Sequence, residues 1–211
     1  MNNMTDGVLT VISGFAGAGK GTIVNYLISE FPDIYALSIS ATTRKPREGE
    51  KDGREYFFLE KEEFEKKISQ DEFIEYAKYV DNYYGTPKDY VLTQLKNKKD
   101  VILEIEVQGA LSVKKAFPQA LLLFVTPPSA SILEQRLKGR GTETDQVIKK
   151  RMKRAYEESQ LIDNYDYLII NDEIDKAALK VHHIIRNEHL STSANRKFIN
   201  DLSLQLKEYA K

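Results

Sequence analysis

The chain has 211 residues, 41% apolar and 30% charged, which suits one soluble globular domain with room for insertions and is tight for two. Thirty-one Lys and Arg against 32 Asp and Glu leave a net charge of −1, so bulk charge holds it to neither nucleic acid nor anionic lipid. Cysteine is absent, which excludes disulfides, thiolate metal sites and cysteine nucleophiles. Residues 1–8 lack a signal-peptide pattern and no apolar run nears the ~20 residues of a membrane span, so a cytoplasmic protein is expected.

Residues 8–13 read as a buried strand that runs into a glycine-rich turn, after which Ile23, Val24, Leu27 and Ile28 take up helical spacing. Further strands are expected at residues 36–40, 101–107, 120–126 and 167–171, and helices at 87–97, 108–117, 129–137 and 145–163. Strands apolar on both faces that alternate with helices imply a parallel sheet covered on both sides, an α/β fold. Two stretches break the rhythm. Residues 42–84 are charged, turn-rich and aromatic, with a local antiparallel strand expected at 56–59; residues 138–144 form a polar loop between two basic helices. The expected organisation is a core of residues 8–40, 87–135 and 152–190, an inserted lobe at about 41–86 and a mobile lid at about 136–151. A helical tail at 191–211 carries Leu202, Leu204 and Leu206.

The strongest local signal is Gly14, Phe15, Ala16, Gly17, Ala18, Gly19, Lys20, Gly21 and Thr22, placed after the first strand and opening the first helix. This is the P-loop spacing in the context that gives it meaning. Its glycines let successive N–H groups face phosphate oxygens, the helix N-terminus adds its positive dipole end, and Lys20 reaches the outer phosphates. Gly21 stands where Ser or Thr is usual, and the hydroxyl comes one residue later, on Thr22.

Several ordered motifs follow: Ser38-Ile-Ser40-Ala-Thr-Thr-Arg44-Lys-Pro-Arg47, Gly49-Glu-Lys-Asp-Gly53-Arg-Glu-Tyr56, Glu72-Phe-Ile-Glu75-Tyr, Tyr84-Gly85-Thr86-Pro, Leu103-Glu104-Ile-Glu106-Val-Gln-Gly109 and Arg136-Leu-Lys-Gly-Arg140. Together with the P-loop, over roughly residues 8–190, this series resembles the guanylate kinases, which phosphorylate GMP with ATP. The resemblance implies a P-loop NTPase-type core with an inserted GMP-binding lobe and a short lid. It also implies ATP and GMP as substrates, with Mg²⁺ carried by ATP.

By that resemblance Arg44, Arg47, Tyr56 and Tyr84 hold the GMP phosphate. Forked guanidinium donors suit a dianion. Glu75 reads guanine, with Ser40, Thr86 and Glu106 completing the pocket; a carboxylate accepts from both N1–H and the 2-amine, which adenine lacks. Arg136, Arg140 and Arg151 close over ATP, Asn171 lies near adenine, and Lys20, Arg44, Arg140 and Arg151 serve the transfer. Glu104 and Glu106 are expected to alternate on one strand and face the same side, with Glu104 and Thr22 near Mg²⁺.

The basic run at residues 149–154 has no aromatic neighbours for stacking nucleic acid, and of its charges only Arg151 is taken as functional. His182, His183 and His189 lack partners at metal spacing. A peptide-binding guanylate-kinase-like module and a kinase for AMP or a pyrimidine nucleotide are the competing readings. The intact P-loop disfavours the first, and Glu75 with Thr86 disfavours the second.

Overall fold

A computed structural model of the chain describes residues 7–79, 81–139 and 144–210. Strand β1 (Leu9–Gly14) is buried along its whole length, as befits the middle of a covered sheet. It leads into α1 (Lys20–Glu30) and β2 (Tyr35–Leu37). The inserted stretch then builds β3 (Ala41–Thr42), β4 (Phe57–Phe58), α2 (Lys61–Ser69), β5 (Phe73–Tyr79) and β6 (Asn82–Pro87). The first layer resumes with α3 (Lys88–Lys96), β7 (Asp100–Glu104), α4 (Val107–Ala116), β8 (Leu121–Thr126) and α5 (Ala130–Lys138). After α6 (Asp145–Ser159) come β9 (Tyr167–Ile170), α7 (Ile174–Glu188) and α8 (Arg196–Tyr209).

Five strands pair in parallel in the order β2-β7-β1-β8-β9. Alternation along β1 sends Ile12 to one face, against Ile23 and Leu27 of α1 and Ala178 and Val181 of α7. Leu9 and Val11 go to the other face, against Val91 of α3 and Ala110 and Val113 of α4. The inserted stretch forms its own mixed sheet, β4-β3-β6-β5. Phe64 of α2 is fully buried there, stacked on Phe73 at 4.3 Å and on Tyr83 at 5.3 Å.

The edge of the main sheet where its strands begin is tied down by Asp100, which is 1% exposed. Its Oδ1 accepts from the Val8 amide at 2.8 Å and lies 2.8 Å from His189 Nε2 beyond the end of α7. His182 stacks on Phe31 at 4.1 Å and meets the Tyr35 hydroxyl at 2.8 Å. These two histidines therefore serve packing, far along the strands from the P-loop.

Several expectations are corrected. The strand expected at residues 56–59 is only two residues long and runs parallel to β3, with Ala41 opposite Phe57 and Thr42 opposite Phe58. The long turn of residues 43–56 carries the chain back to the start of β3 before it pairs. The strand expected at 101–107 ends at Glu104, and Glu106 is the N-terminal cap of α4, its carbonyl accepting from Ala110 at 3.0 Å. Glu104 and Glu106 thus do not alternate along one strand. The strand expected at 36–40 stops at Leu37, and the helix expected to reach residue 163 gives way after Ser159 to a 3₁₀ turn over Ile162–Asn164. No residue of α8 is buried, and Leu202, Leu204 and Leu206 are exposed. Among the described residues no helix is long and apolar enough to cross a membrane.

Candidate active site

The carboxyl ends of the parallel strands share one edge, the position where open α/β sheets bind ligands. There the P-loop joins β1 to α1. Gly14 has φ +145°, and a Cβ on it would lie 2.1 Å from the Val125 carbonyl oxygen of β8, so no side chain fits. Gly17 and Gly19 have φ +91° and +90°, the left-handed turns that fold the loop's amides inward. Lys20 Nζ donates to the carbonyls of Gly14 at 2.7 Å and Phe15 at 3.2 Å, which stretches its ammonium across the cradle. Phe15 and Ala18 are buried under the loop, with Phe15 edge-on to Phe124 at 4.9 Å.

Asn171, fully buried at the end of β9, donates from Nδ2 to the Ala18 carbonyl at 2.7 Å. Its Oδ1 is buried with no hydrogen-bond partner. Arg136, in the last turn of α5, donates to the Asn171 carbonyl at 3.0 Å, which holds its guanidinium beside the loop. Asn171 therefore supports the loop from beneath. Ala16 and Gly17 are half-buried, and Thr22 is exposed on α1.

Glu104 stands at the end of β7 with its carboxylate towards the first turn of α1. A Cβ at Gly21 would lie 3.5 Å from Glu104 Oε2. Burial raises its pKa above the ordinary carboxylate range and the charge of Lys20 opposes that. Residue 21, where other P-loops carry their hydroxyl, is thus the one that faces Glu104.

The lobe supplies two further groupings. Thr42, buried at the end of β3, uses its hydroxyl to bond the Tyr83 carbonyl at 2.9 Å and to accept from the Arg44 amide at 3.1 Å, which fixes the turn that launches Arg44. The Arg44 guanidinium lies 5.4 Å from the Tyr56 ring centre, and the Tyr56 and Tyr84 rings are 6.0 Å apart. Arg44 also bonds Glu50 through Nη2, at 2.9 and 3.0 Å. Burial pushes the Tyr56 phenol up, so it stays a hydroxyl donor. Arg47 is exposed on the adjoining turn.

The second grouping centres on Glu75. The register of β5 against β6 shifts between Phe73 and Tyr76, a bulge that turns Ile74 inward and re-aims Glu75. Glu75 Oε1 accepts from the Thr86 hydroxyl at 2.7 Å, and its Oε2 lies 3.0 Å from where a Cβ on Gly109 would stand. Burial raises its pKa, and the Thr86 bond offsets part of that. Tyr84 and Thr86 are two apart on β6 and share a face, so the arginine-tyrosine cluster and the carboxylate lie along one wall. Ser40, half-buried, stands just before β3, where its carbonyl accepts from Phe57 at 2.9 Å.

Glu106 goes elsewhere. Its Oε2 accepts from Arg154 Nη2 at 2.6 Å, and Arg154 Nε donates to Glu158 at 2.8 Å. Arg154 thereby ties α6 to the start of α4, one turn from Arg151. In the sequence Arg154 is set aside with the basic run at 149–154, although its i,i+4 spacing to Glu158 is there to be read. Arg154→Ala leaves the Glu158 side chain, 6% exposed, without that arginine and is expected to cost about 1–3 kcal/mol in urea unfolding, with Arg154→Lys recovering part. Arg140 lies outside the described residues.

The family model described as guanylate kinase matches residues 7–188. The chain is 49% identical over 208 residues to a guanylate kinase of Caldanaerobacter subterraneus, covering 99% of this chain and 98% of that one. It is 50% identical over 184 residues to a guanylate kinase of Bacillus subtilis, covering 87% and 90% respectively. Among solved structures, a guanylate kinase from Anaplasma phagocytophilum matches with a TM-score of 0.70 at 31% identity over 89% of both chains. A phosphate loop on a five-stranded parallel sheet, a lobe with its own sheet, and relatives alike along nearly the whole length place this chain in the guanylate kinase family.

Proposed function

We propose that the chain transfers the terminal phosphoryl group of ATP to GMP, giving ADP and GDP, in the cytoplasm. The observation that carries this reading is the half-buried Glu75 carboxylate, held by Thr86 on the same wall as Arg44, Tyr56 and Tyr84. One mononucleotide can span that wall, with its phosphate at the arginine and its base at the acid. Guanine offers two donors to a carboxylate, whereas adenine offers an acceptor where Glu75 needs a donor.

The acceptor oxygen of GMP is already anionic, so no general base is required. The obstacle is repulsion between two polyanions, and positioned positive charge removes it. Lys20 releases its two loop carbonyls to meet the β- and γ-phosphates, and Arg44 bridges donor and acceptor. Arg47 and Tyr84 complete the acceptor's grip. Arg136, Arg140 and Arg151 converge as the lid closes over ATP, with Asn171 and the rest of the loop seating the nucleotide. Mg²⁺ suits this donor set, since Glu104 is a hard oxygen ligand facing the P-loop helix; when bound with ATP the ion offsets charge on the transferring group. Ser40 borders the acceptor wall, and Glu106 completes the base pocket once Arg154 releases its carboxylate. None of the residues assigned to base and phosphate selects for the ribose 2′-hydroxyl, so dGMP is accepted too.

An acceptor screen with ATP and Mg²⁺ tests the assignment. GMP and dGMP are expected to turn over, with kcat/KM for AMP and UMP lower by about 10⁴-fold. Comparable turnover of AMP would overturn the reading.

A further inference from the structure

We propose that Glu50 is a displaceable stand-in for the acceptor's phosphate, occupying the grip of Arg44 until the nucleotide takes its place. The inference rests on the reading that Arg44 receives the GMP phosphate, and goes beyond it by naming what that arginine holds beforehand.

Both oxygens of Glu50 accept from Arg44 Nη2, at 2.9 and 3.0 Å, while Arg44 Nη1 donates to the Lys45 carbonyl at 2.8 Å. A guanidinium grips a phosphate in forked fashion through one of two edges, Nη1 with Nη2 or Nε with Nη2. Both edges include Nη2. With Glu50 in place, neither edge is open, so a forked phosphate contact requires the carboxylate to yield.

The resemblance to a bound anion extends to the backbone. Glu50 Oε2 also accepts from the Arg47 amide at 2.7 Å, so one carboxylate gathers the side chain of Arg44 and the main chain of Arg47. Two arginines and Lys45 crowd a short turn, and a resident negative charge offsets their mutual repulsion while the pocket is empty. Arg44 and then the Arg47 amide hold the Glu50 carboxyl below its usual range, so it is ionised at neutral pH. An arriving phosphate dianion competes for the same donors with twice the charge and repels the carboxylate.

The turn permits this exchange. Gly49, immediately before Glu50, has φ +84° and nothing within 4 Å of where a Cβ would stand, so the acid can swing outward without disturbing β3. Glu50 therefore sets the affinity for the phosphate end of the acceptor and leaves the base end alone.

Calorimetric titration of GMP and of guanosine, on the full chain and on Glu50→Gln, separates the possibilities. Removing the competing charge is expected to tighten GMP binding by about threefold or more. Guanosine, having no phosphate, binds both proteins equally. In an Arg44→Met background, Glu50→Gln should make no difference, because the contested donor is gone. Weaker or unchanged GMP binding in Glu50→Gln overturns the proposal, the first by making Glu50 a permanent strut for Arg44. If the unaltered chain binds GMP no better than guanosine, the fault lies instead with the assignment of Arg44 to the phosphate. Glu50→Ala provides a second variant at this turn, with circular dichroism confirming that each protein is folded.

Discussion

Lys20→Ala is expected to lower kcat by about 10²- to 10³-fold while GMP affinity stays at its wild-type level. The ammonium stretches over the loop and bonds the Gly14 and Phe15 carbonyls, at 2.7 and 3.2 Å, ready to exchange them for phosphate oxygens. Its contribution is greatest where charge builds on the transferring group, so its loss falls on kcat rather than on the acceptor. The acceptor wall is built by β3, β5 and β6 and does not depend on it. A coupled assay for ADP gives kcat, and calorimetry gives GMP affinity. Retained turnover would remove phosphate positioning by the loop from the mechanism. Lys20→Arg is not expected to rescue, since a planar fork cannot replace a compact point charge inside a cradle of backbone amides.

Glu75→Gln carries the second large effect, and it has two sides. An amide offers guanine at most one acceptor where the carboxylate offers two, so kcat/KM for GMP falls by about 10²-fold and the preference over AMP narrows. The empty fold responds in the opposite sense. Burial raises the Glu75 pKa above its unfolded value, so its protonated form suits the fold better and its stabilising contribution is complete at low pH. That contribution is lost as pH rises through the raised native value, and at neutral pH the ionised carboxylate is a burden on the fold. The neutral amide lifts the burden, and Glu75→Gln is expected to raise unfolding free energy at pH 7 by about 0.5–2 kcal/mol, with the gain vanishing towards acid pH. Urea titrations at several pH values check this. A variant less stable than the parent at pH 7 would show that Glu75 is held for structure and not for recognition.

What the sequence revealed follows from how local each constraint is. The P-loop was legible because its demands are backbone demands: Gly14, Gly17 and Gly19 sit at φ +145°, +91° and +90°, which other residues rarely adopt. The core strands were legible because apolar Leu9, Val11 and Ile12 fall on both faces of one short run, as a strand covered on both sides requires. Arg44, Tyr84 and Glu75 stood out only as members of an ordered series. The bulge that aims Glu75 leaves no local signature, because it depends on pairing between β5 and β6. Arg154 was passed over as part of a solvated run, since its partner Glu106 lies 48 residues away and only the fold brings them together. The same separation misplaced Glu106, read as a strand residue beside Glu104 when it caps α4. The parallel pairing of β4 was misread because the long turn before it hides the chain's direction.

The account depends on the carboxylate of residue 75 meeting the base of the acceptor. A crystal structure with GMP bound tests this directly. It should place the Glu75 carboxylate within about 3 Å of guanine N1 and the 2-amine, with the phosphate on Arg44. Guanine bound away from Glu75, with that acid still engaged by Thr86 alone, would contradict it.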